Sequence, residues 1–149
     1  MKISVQKHDF DLAAEYQHLI RNNSKDGAVT LFVGRVRSKN QSSDVQALEL
    51  EHYPEMTAKV LSEIVVEAKQ KWDLGEVSVI HRYGKLALGE QIVFVGLTCE
   101  HRESAYQANQ FIMDFLKTRA PFWKKETRTD GEVWIDANEK DKKALTKWE

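Results

Sequence analysis

The chain has 149 residues, with 22 lysine and arginine residues against 23 aspartate and glutamate residues, so its formal net charge at pH 7 is −1. Hydrophobic residues make up 42% and charged residues 30% of the sequence, which excludes a disordered or fibrous protein and fits one globular domain over residues 1–149. The near-neutral charge argues against a protein that binds nucleic acid through a broad basic surface.

The sequence indicates a cytoplasmic protein with no resident metal or cofactor. Cys99 is the only cysteine, so no internal disulfide can form, and no Cys and His residues stand at metal-ligand spacing. Charged residues interrupt the N-terminal segment, and the apolar runs are short, so we expect neither a signal peptide nor a membrane span. The glycines form neither a dinucleotide-binding GxGxxG motif nor a P-loop.

The hydrophobic pattern of the first half predicts strands and helices in alternation. Alternating apolar residues indicate strands, apolar residues at helical spacing indicate helices, and proline is tolerated at a first helical position. In chain order we predict a strand over 2–6, a helix over 11–21, strands over 28–36 and 45–53 with a polar loop at 37–44, and a helix from Pro54 that ends before Gly75.

The second half predicts two pairs of strands separated by a helix. Pro121 should end that helix, because proline clashes with the carbonyl four residues back. The predicted elements are strands over 76–83 and 91–99 joined as a hairpin by a turn at 84–90, a helix over 103–119, two extended stretches within 122–135 around the turn Thr129–Gly131, and a final short helix capped by Asn138. Because neighbouring strands lack helices between them, the order favours an α+β fold over a doubly wound α/β fold.

Local charge is uneven although the total is balanced. Residues 28–43 contain three cations and no acidic residue, and residues 117–128 contain five cations and only Glu126 as an acid. Two more cationic pairs stand at strand ends, His81-Arg82 and His101-Arg102. Such groups either converge on an anionic ligand such as a phosphate, or remain solvated on the surface and complement a helix C-terminus. The pattern alone leaves both interpretations open.

Lys117 and Lys124 flank the predicted helix stop and the bulky pair Phe122-Trp123. A lysine beside other cations and apolar walls has its charged form disfavoured, which lowers its pKa toward the range useful for proton transfer. The two aromatic residues are typical of a core that closes a helix end, while stacking on nucleic-acid bases is the alternative.

Two further residues invite catalytic hypotheses. Cys99 stands where a strand meets a helix, but His101 lies two residues on, which is poor spacing for a catalytic pair, so we expect a buried and inert thiol. His52 is either a base or a hydrogen-bonded structural residue.

Four segments closely resemble the large, catalytic subunit of molybdopterin synthase, the MoaE family. They are DGAVTLFVGRVR (26–37), LEHYPEMTAK (50–59), VSVIHRYGKLALGEQIVFVGLTCEHR (77–102) and FIMDFLKTRAPFWKKE (111–126). The resemblance implies a sulfurtransferase that adds two sulfurs to cyclic pyranopterin monophosphate and so forms the molybdopterin dithiolene. It implies a small ubiquitin-like subunit, thiocarboxylated at its C-terminus, as the sulfur donor.

The same resemblance implies an α+β fold of the α/β hammerhead type, with an added small antiparallel sheet. It also implies a heterotetramer built on a central homodimer of large subunits, with no nucleic acid or membrane as partner. Its catalytic residues fall on Lys117 and Lys124. Its substrate-binding residues fall on Arg37, on His101 and Arg102, which reach the pocket of the other large subunit, and on Phe32, Met113 and Arg119 as walls and support. A nucleic-acid-binding module and a non-catalytic scaffold for the ubiquitin-like partner are the competing functions.

Overall fold

The computed structural model describes residues 1–40, 43–135 and 139–149, and it contains two sheets with helices packed on them. The elements in chain order are β1 (Lys2–Gln6), α1 (Leu12–Ile20), β2 (Ala28–Arg35), β3 (Lys39–Asn40), β4 (Ser43–His52), α2 (Pro54–Lys71), β5 (Leu74–Arg82), β6 (Gly84–Ala87), β7 (Gln91–Cys99), α3 (Arg102–Arg119), β8 (Phe122–Arg128), β9 (Gly131–Ile135), α4 (Glu139–Ala144) and a 3-10 helix (Leu145–Trp148).

The first sheet is mixed and the second is antiparallel. In the first, the strand order is β1-β5-β7-β2, with β1 parallel to β5 and the other two pairs antiparallel. In the second, the order is β3-β4-β8-β9, and β6 also pairs with β4. This arrangement confirms the predicted α+β fold and the separate small antiparallel sheet.

Helices cover both faces of the first sheet because its central strands are apolar on both sides. Val77 and Val79 of β5 point to the face covered by α2 and α3, where they join the main core. Ile80 of β5 points to the other face, where it packs with Leu19 of α1 and with Phe94. Strands buried on both faces carry nearly continuous apolar runs, as in the sequence of β7.

The two long helices form where their spacing predicts them. Pro54 occupies the first turn of α2, and the helix ends at Lys71, before Gly75. α3 ends at Arg119, since Pro121 follows its C-cap residue Ala120. None of the described helices is long and apolar enough to span a membrane.

Two segments predicted as a loop and a turn contain strands. Lys39–Asn40, within the predicted loop 37–44, forms β3 by pairing with the start of β4. Gly84–Ala87, within the predicted turn 84–90, forms β6 and pairs antiparallel with β4. The β6 pairing buries Leu86 to 2% exposure in a cluster with Leu48 and Leu50, which stabilises a strand that local sequence does not favour.

The remaining strand predictions hold. β5 and β7 pair antiparallel as the predicted hairpin partners, although β6 lies in their connection. The Thr129–Gly131 turn joins β8 to β9, and Gly131 has a φ of 126°, a conformation that favours glycine. The predicted final helix is present as α4, while its predicted cap, Asn138, lies outside the described residues.

Candidate active site

A cavity of about 590 Å³ opens where the C-terminal end of α3 meets the end of β2 and the second sheet. Most of the charged side chains that line it are cationic, so the cavity suits an anionic ligand. The cations are Arg35, Arg37, Lys117, Lys124 and Lys140, and the carboxylates are Glu126 and Asp141. Of these carboxylates, Glu126 is buried and accepts hydrogen bonds from Nε and Nη2 of Arg128, at 2.9 and 2.7 Å.

The reversal at Pro121 brings Lys117 and Lys124 to this cavity. Lys117 lies in the last turn of α3, and the chain then turns back into β8. Successive strand residues point to opposite faces, so Phe122 and Lys124 line the cavity. Lys125 points to the other face of the second sheet, where its Nζ lies 3.5 Å from Oε2 of Glu49.

The cavity lowers the pKa of Lys117 from 10.5 to about 8. The largest cause is desolvation: the side chain reaches solvent at the open mouth, but protein walls surround it. The neighbouring cations Lys124 and Arg37 add to this effect, and Asp141 opposes it. The side chain of Lys124 lies close to that of Lys117. The repulsion between two neighbouring ammonium groups favours the neutral form of Lys117.

Arg37 and Phe32 are the other predicted site residues that reach the cavity. Arg37 directly follows Val36, whose backbone is fixed by two hydrogen bonds: its N–H donates to the Glu90 carbonyl at 2.9 Å, and its carbonyl accepts from the N–H of Gly89 at 2.8 Å. Phe32 of β2 lies between the cavity and a neighbouring groove, and its side chain is 40% exposed. These two residues therefore form one side of the cavity.

Within a single chain, Met113 and Arg119 lie elsewhere. Met113 is buried and lines the neighbouring groove between α3 and β2, next to Phe32. Arg119 is turned toward α2, where its Nη1 lies 2.6 Å from Oε2 of Glu67. Met113 therefore lies in the groove that adjoins the cavity at Phe32. Arg119 forms an ion pair that joins α3 to α2.

His101 and Arg102 lie at the opposite end of α3 from Lys117, at a distance of about 22 Å along the helix. His101 is the N-cap residue, and 80% of its side chain is exposed. Arg102 is also exposed. The structure therefore does not bring this pair to the cavity of their own chain.

The alternative candidates lie outside the cavity lining. Cys99 is 4% exposed, and its Sγ donates to the carbonyl of Asp73 at 3.5 Å, which agrees with a buried thiol. His52 contacts Oγ1 of Thr57 through Nδ1 at 3.2 Å. The prediction of a core position is wrong for Trp123, which is 42% exposed and packs against Tyr53, because its strand position points away from the cavity and the core.

Charged and titratable residues beyond the family-implied site also line the cavity. The cationic pattern names His81 only as one of the cations at strand ends. The alternation Val77, Val79, His81 along β5 continues a core face to the end of the strand and is the signal that places His81 here. Lys140 and Asp141 belong to α4, and no sequence signal links that helix to Lys117. No group of three or more His, Cys, Asp or Glu side chains that could hold a metal ion occurs in the described parts of the chain.

Comparisons with known proteins match nearly the whole chain. The model of the MoaE protein family matches residues 5–119. The molybdopterin synthase catalytic subunits of Haemophilus influenzae and Escherichia coli are 55% and 52% identical, over 99% of this chain and 98% and 97% of their own lengths. The solved structure of a molybdopterin biosynthesis MoaE protein from Burkholderia ambifaria has a TM-score of 0.85 and 48% identity, covering 99% of this chain and 97% of that one. The resemblance seen in the sequence is confirmed, and the chain belongs to the MoaE protein family.

Proposed function

We propose that the chain is the catalytic subunit of molybdopterin synthase and a sulfurtransferase. It takes two sulfurs from the thiocarboxylated C-terminus of a small ubiquitin-like subunit and adds them to cyclic pyranopterin monophosphate, which forms the molybdopterin dithiolene. The observation that carries this proposal is the proximity of Lys117 and Lys124 at the wall of a cationic cavity. The relatives named as molybdopterin synthase catalytic subunits support the assignment to that enzyme.

Both reactants are anions, and the cavity offers each of them a cation. Arg37 presents a planar guanidinium that can hold the substrate phosphate in a bidentate manner. As the thiocarboxylate sulfur forms its bond to a substrate carbon, a carbon–oxygen bond at that carbon breaks. The ammonium of Lys124 stabilises the negative charge that develops on the departing oxygen, including the phosphate oxygen released when the cyclic phosphate opens. The neutral amine of Lys117 accepts a proton during the addition of water that cleaves the acyl–sulfur bond. After each transfer the sulfur stays on the pterin and the donor leaves as a carboxylate.

An external sulfur donor fits the position of the only cysteine. Cys99 is buried at the end of β7 and does not line the cavity, so its thiol is not placed to carry sulfur to the substrate. A free buried thiol is also typical of proteins in a reducing compartment, which supports a cytoplasmic location.

The edge strand β2 supports a central homodimer with shared pockets. β2 is an outer strand of the first sheet, and Leu31 and Phe32 expose apolar surface along it, an arrangement that invites pairing with another strand. In an antiparallel β2–β2 pairing about a two-fold axis, the start of one strand lies opposite the end of the other. Ala28 at the start of β2 pairs with Cys99, next to the start of α3. This pairing therefore moves His101 of the partner subunit toward the cavity.

Sulfur transfer by alanine variants tests the proposed function. Lys117→Ala and Lys124→Ala should each lower the rate of dithiolene formation at least about 100-fold, the effect of removing a group that stabilises the transition state. Lys125→Ala is the matched control, because Lys125 lies on the same strand and faces away. It should stay within about twofold of the unmodified protein. Near-normal turnover by Lys117→Ala, with an unchanged circular dichroism spectrum, would remove that lysine from the mechanism.

A further inference from the structure

His81 ends a row of side chains that begins in the core and finishes at the cavity. Val77, Val79 and His81 alternate along one face of β5, and both valines are fully buried beneath α2 and α3. His81 is the last residue of this row, is only 6% exposed, and lines the cavity together with Lys117 and Lys124. A buried imidazole therefore forms part of the wall beside the two lysines.

The hydrogen bond of His81 defines which ring nitrogen carries the proton. Nδ1 lies 2.8 Å from the backbone carbonyl of Arg82. A carbonyl oxygen can only accept, so Nδ1 carries a hydrogen and donates it. In the neutral ring, Nε2 is then an acceptor. Within the described parts of the chain, no side chain or backbone group occupies Nε2 with a hydrogen bond.

Packing fixes the ring in this orientation. The His81 ring stacks on Phe122 with a centroid distance of 3.7 Å and an angle of 18°. Phe122 is in turn 5.8 Å from the ring of His52, which packs against Tyr83 at 4.3 Å. The imidazole is thus held between its backbone hydrogen bond and an aromatic column, and it has little freedom to rotate.

The surroundings also keep the ring neutral. The charged and titratable groups that act on it are Lys117 of α3, Lys124 of β8 and His52 of β4. Burial is the largest cause that lowers the pKa of His81, to about 3, and the cations add to it, while the hydrogen bond to Arg82 opposes it. The neutral form of the His81 ring is favoured in this cationic cavity, because a protonated ring would be repelled by both lysines.

We propose that His81 is a positioning residue for the lysine pair. Among the residues that the structure describes, none donates a hydrogen bond to Nε2 of His81, and rotation of the flexible Lys124 side chain lets its ammonium donate one to that nitrogen. Lys124 and Phe122 point to the same face of β8, so the ammonium extends from the strand that carries the ring stacked on His81. An ammonium has three N–H groups. With one of them donated to His81, the others remain available to the reacting anion. This role rests on the proposed function of the cavity.

The hydrogen bond can be tested in the protein alone, by nitrogen-15 NMR of the histidine rings. In the unmodified protein, His81 should be neutral and protonated at Nδ1 from about pH 5 to pH 9. Lys124→Met should move the Nε2 resonance and leave the Nδ1 resonance in place, and Lys125→Met should move neither. A ring protonated at Nε2, a ring that titrates near its ordinary pKa, or an Nε2 resonance that is unchanged in Lys124→Met would overturn the proposal.

The turnover of two His81 variants distinguishes a positioning role of the residue from a role in packing alone. His81→Gln retains an acceptor oxygen, and His81→Leu fills similar space without one. We expect His81→Leu to lower kcat at least about tenfold with KM for the pterin within about twofold, and His81→Gln to recover most of the loss. Equal kcat values in the two folded variants would contradict the positioning role. If the unmodified protein forms no dithiolene, the proposed function fails, while the NMR experiment still decides the hydrogen bond.

Discussion

Replacing Lys124 with methionine removes the cation that most strongly repels a charged Lys117, so the pKa of Lys117 should rise from about 8 toward its ordinary value of 10.5. Methionine keeps an unbranched side chain of similar length and carries no charge. The rise should be partial, because desolvation by the cavity walls is the larger cause of the low pKa and remains in the variant.

The size of the effect follows from the fraction of neutral amine. With a pKa of about 8, roughly one Lys117 side chain in ten is neutral at pH 7, whereas with the ordinary pKa only about one in 3,000 is neutral. A complete return would therefore lower the population of the neutral amine about 300-fold, and a partial return would lower it less. Loss of Lys124 thus removes its own charge and also lowers the fraction of Lys117 that is neutral and able to accept a proton at pH 7.

The pKa can be measured directly by NMR titration of the lysine side-chain ammonium groups. The Lys117 resonance is assigned from its absence in Lys117→Arg, and Lys125→Met controls for the loss of a lysine from β8. We expect a wild-type pKa near 8, a higher value in Lys124→Met, and no change in Lys125→Met. A wild-type Lys117 that titrates near 10.5, or one that is unaffected by Lys124→Met, would refute the coupling of the two amines.

Three further predictions follow from buried groups and from the proposed dimer. Because the pKa of His81 is about 3 in the folded chain and near 6.5 when unfolded, the unfolded state binds the extra proton first, and stability should fall as pH drops from 6.5 toward 3. The slope should approach about 1.4 kcal/mol per pH unit and be flatter in His81→Leu, as measured by urea unfolding at several pH values; identical slopes would contradict a buried neutral ring. Cys99→Ser should keep most sulfur transfer, since the donor is external, and a well-folded but inactive variant would instead indicate a persulfide on Cys99. Mixing and re-forming dimers of Lys117→Ala and Arg102→Ala should restore about a quarter of the pockets, because about half of the dimers are mixed and each mixed dimer holds one intact pocket. Mixtures that exchange subunits, as verified by mass, yet regain no activity would place each site within one chain.

The elements that local sequence predicts are those stabilised locally. α3 and its end follow from helical spacing and from Pro121, which act within a few residues. Local sequence does not predict β6, because its strand conformation depends on pairing with β4, which lies more than thirty residues earlier in the chain. It depends also on the burial of Leu86 in that pairing. A glycine-rich segment of turn-like composition gives no local sign of such a partner.

The candidate site likewise has features that the sequence predicts and features that only the fold brings together. The sequence shows cations on both sides of a helix stop, but only the family resemblance pairs Lys117 with Lys124, and only the fold brings His81 and Asp141 beside them. Helical geometry alone separates two of the predicted site residues within one chain. Lys117 and Arg119 are two positions apart and so point to nearly opposite sides of α3, and the structure turns Arg119 toward Glu67.

The central claim is that this chain moves sulfur from the C-terminus of a partner protein to a pterin. It is tested most directly by mass spectrometry of a reaction started with purified protein, cyclic pyranopterin monophosphate and a small subunit whose thiocarboxylate carries isotopically labelled sulfur. We predict that both dithiolene sulfurs are labelled and that two donor chains return as carboxylates for each product formed. Product with unlabelled sulfur, or donor recovered intact after product has formed, would contradict the claim.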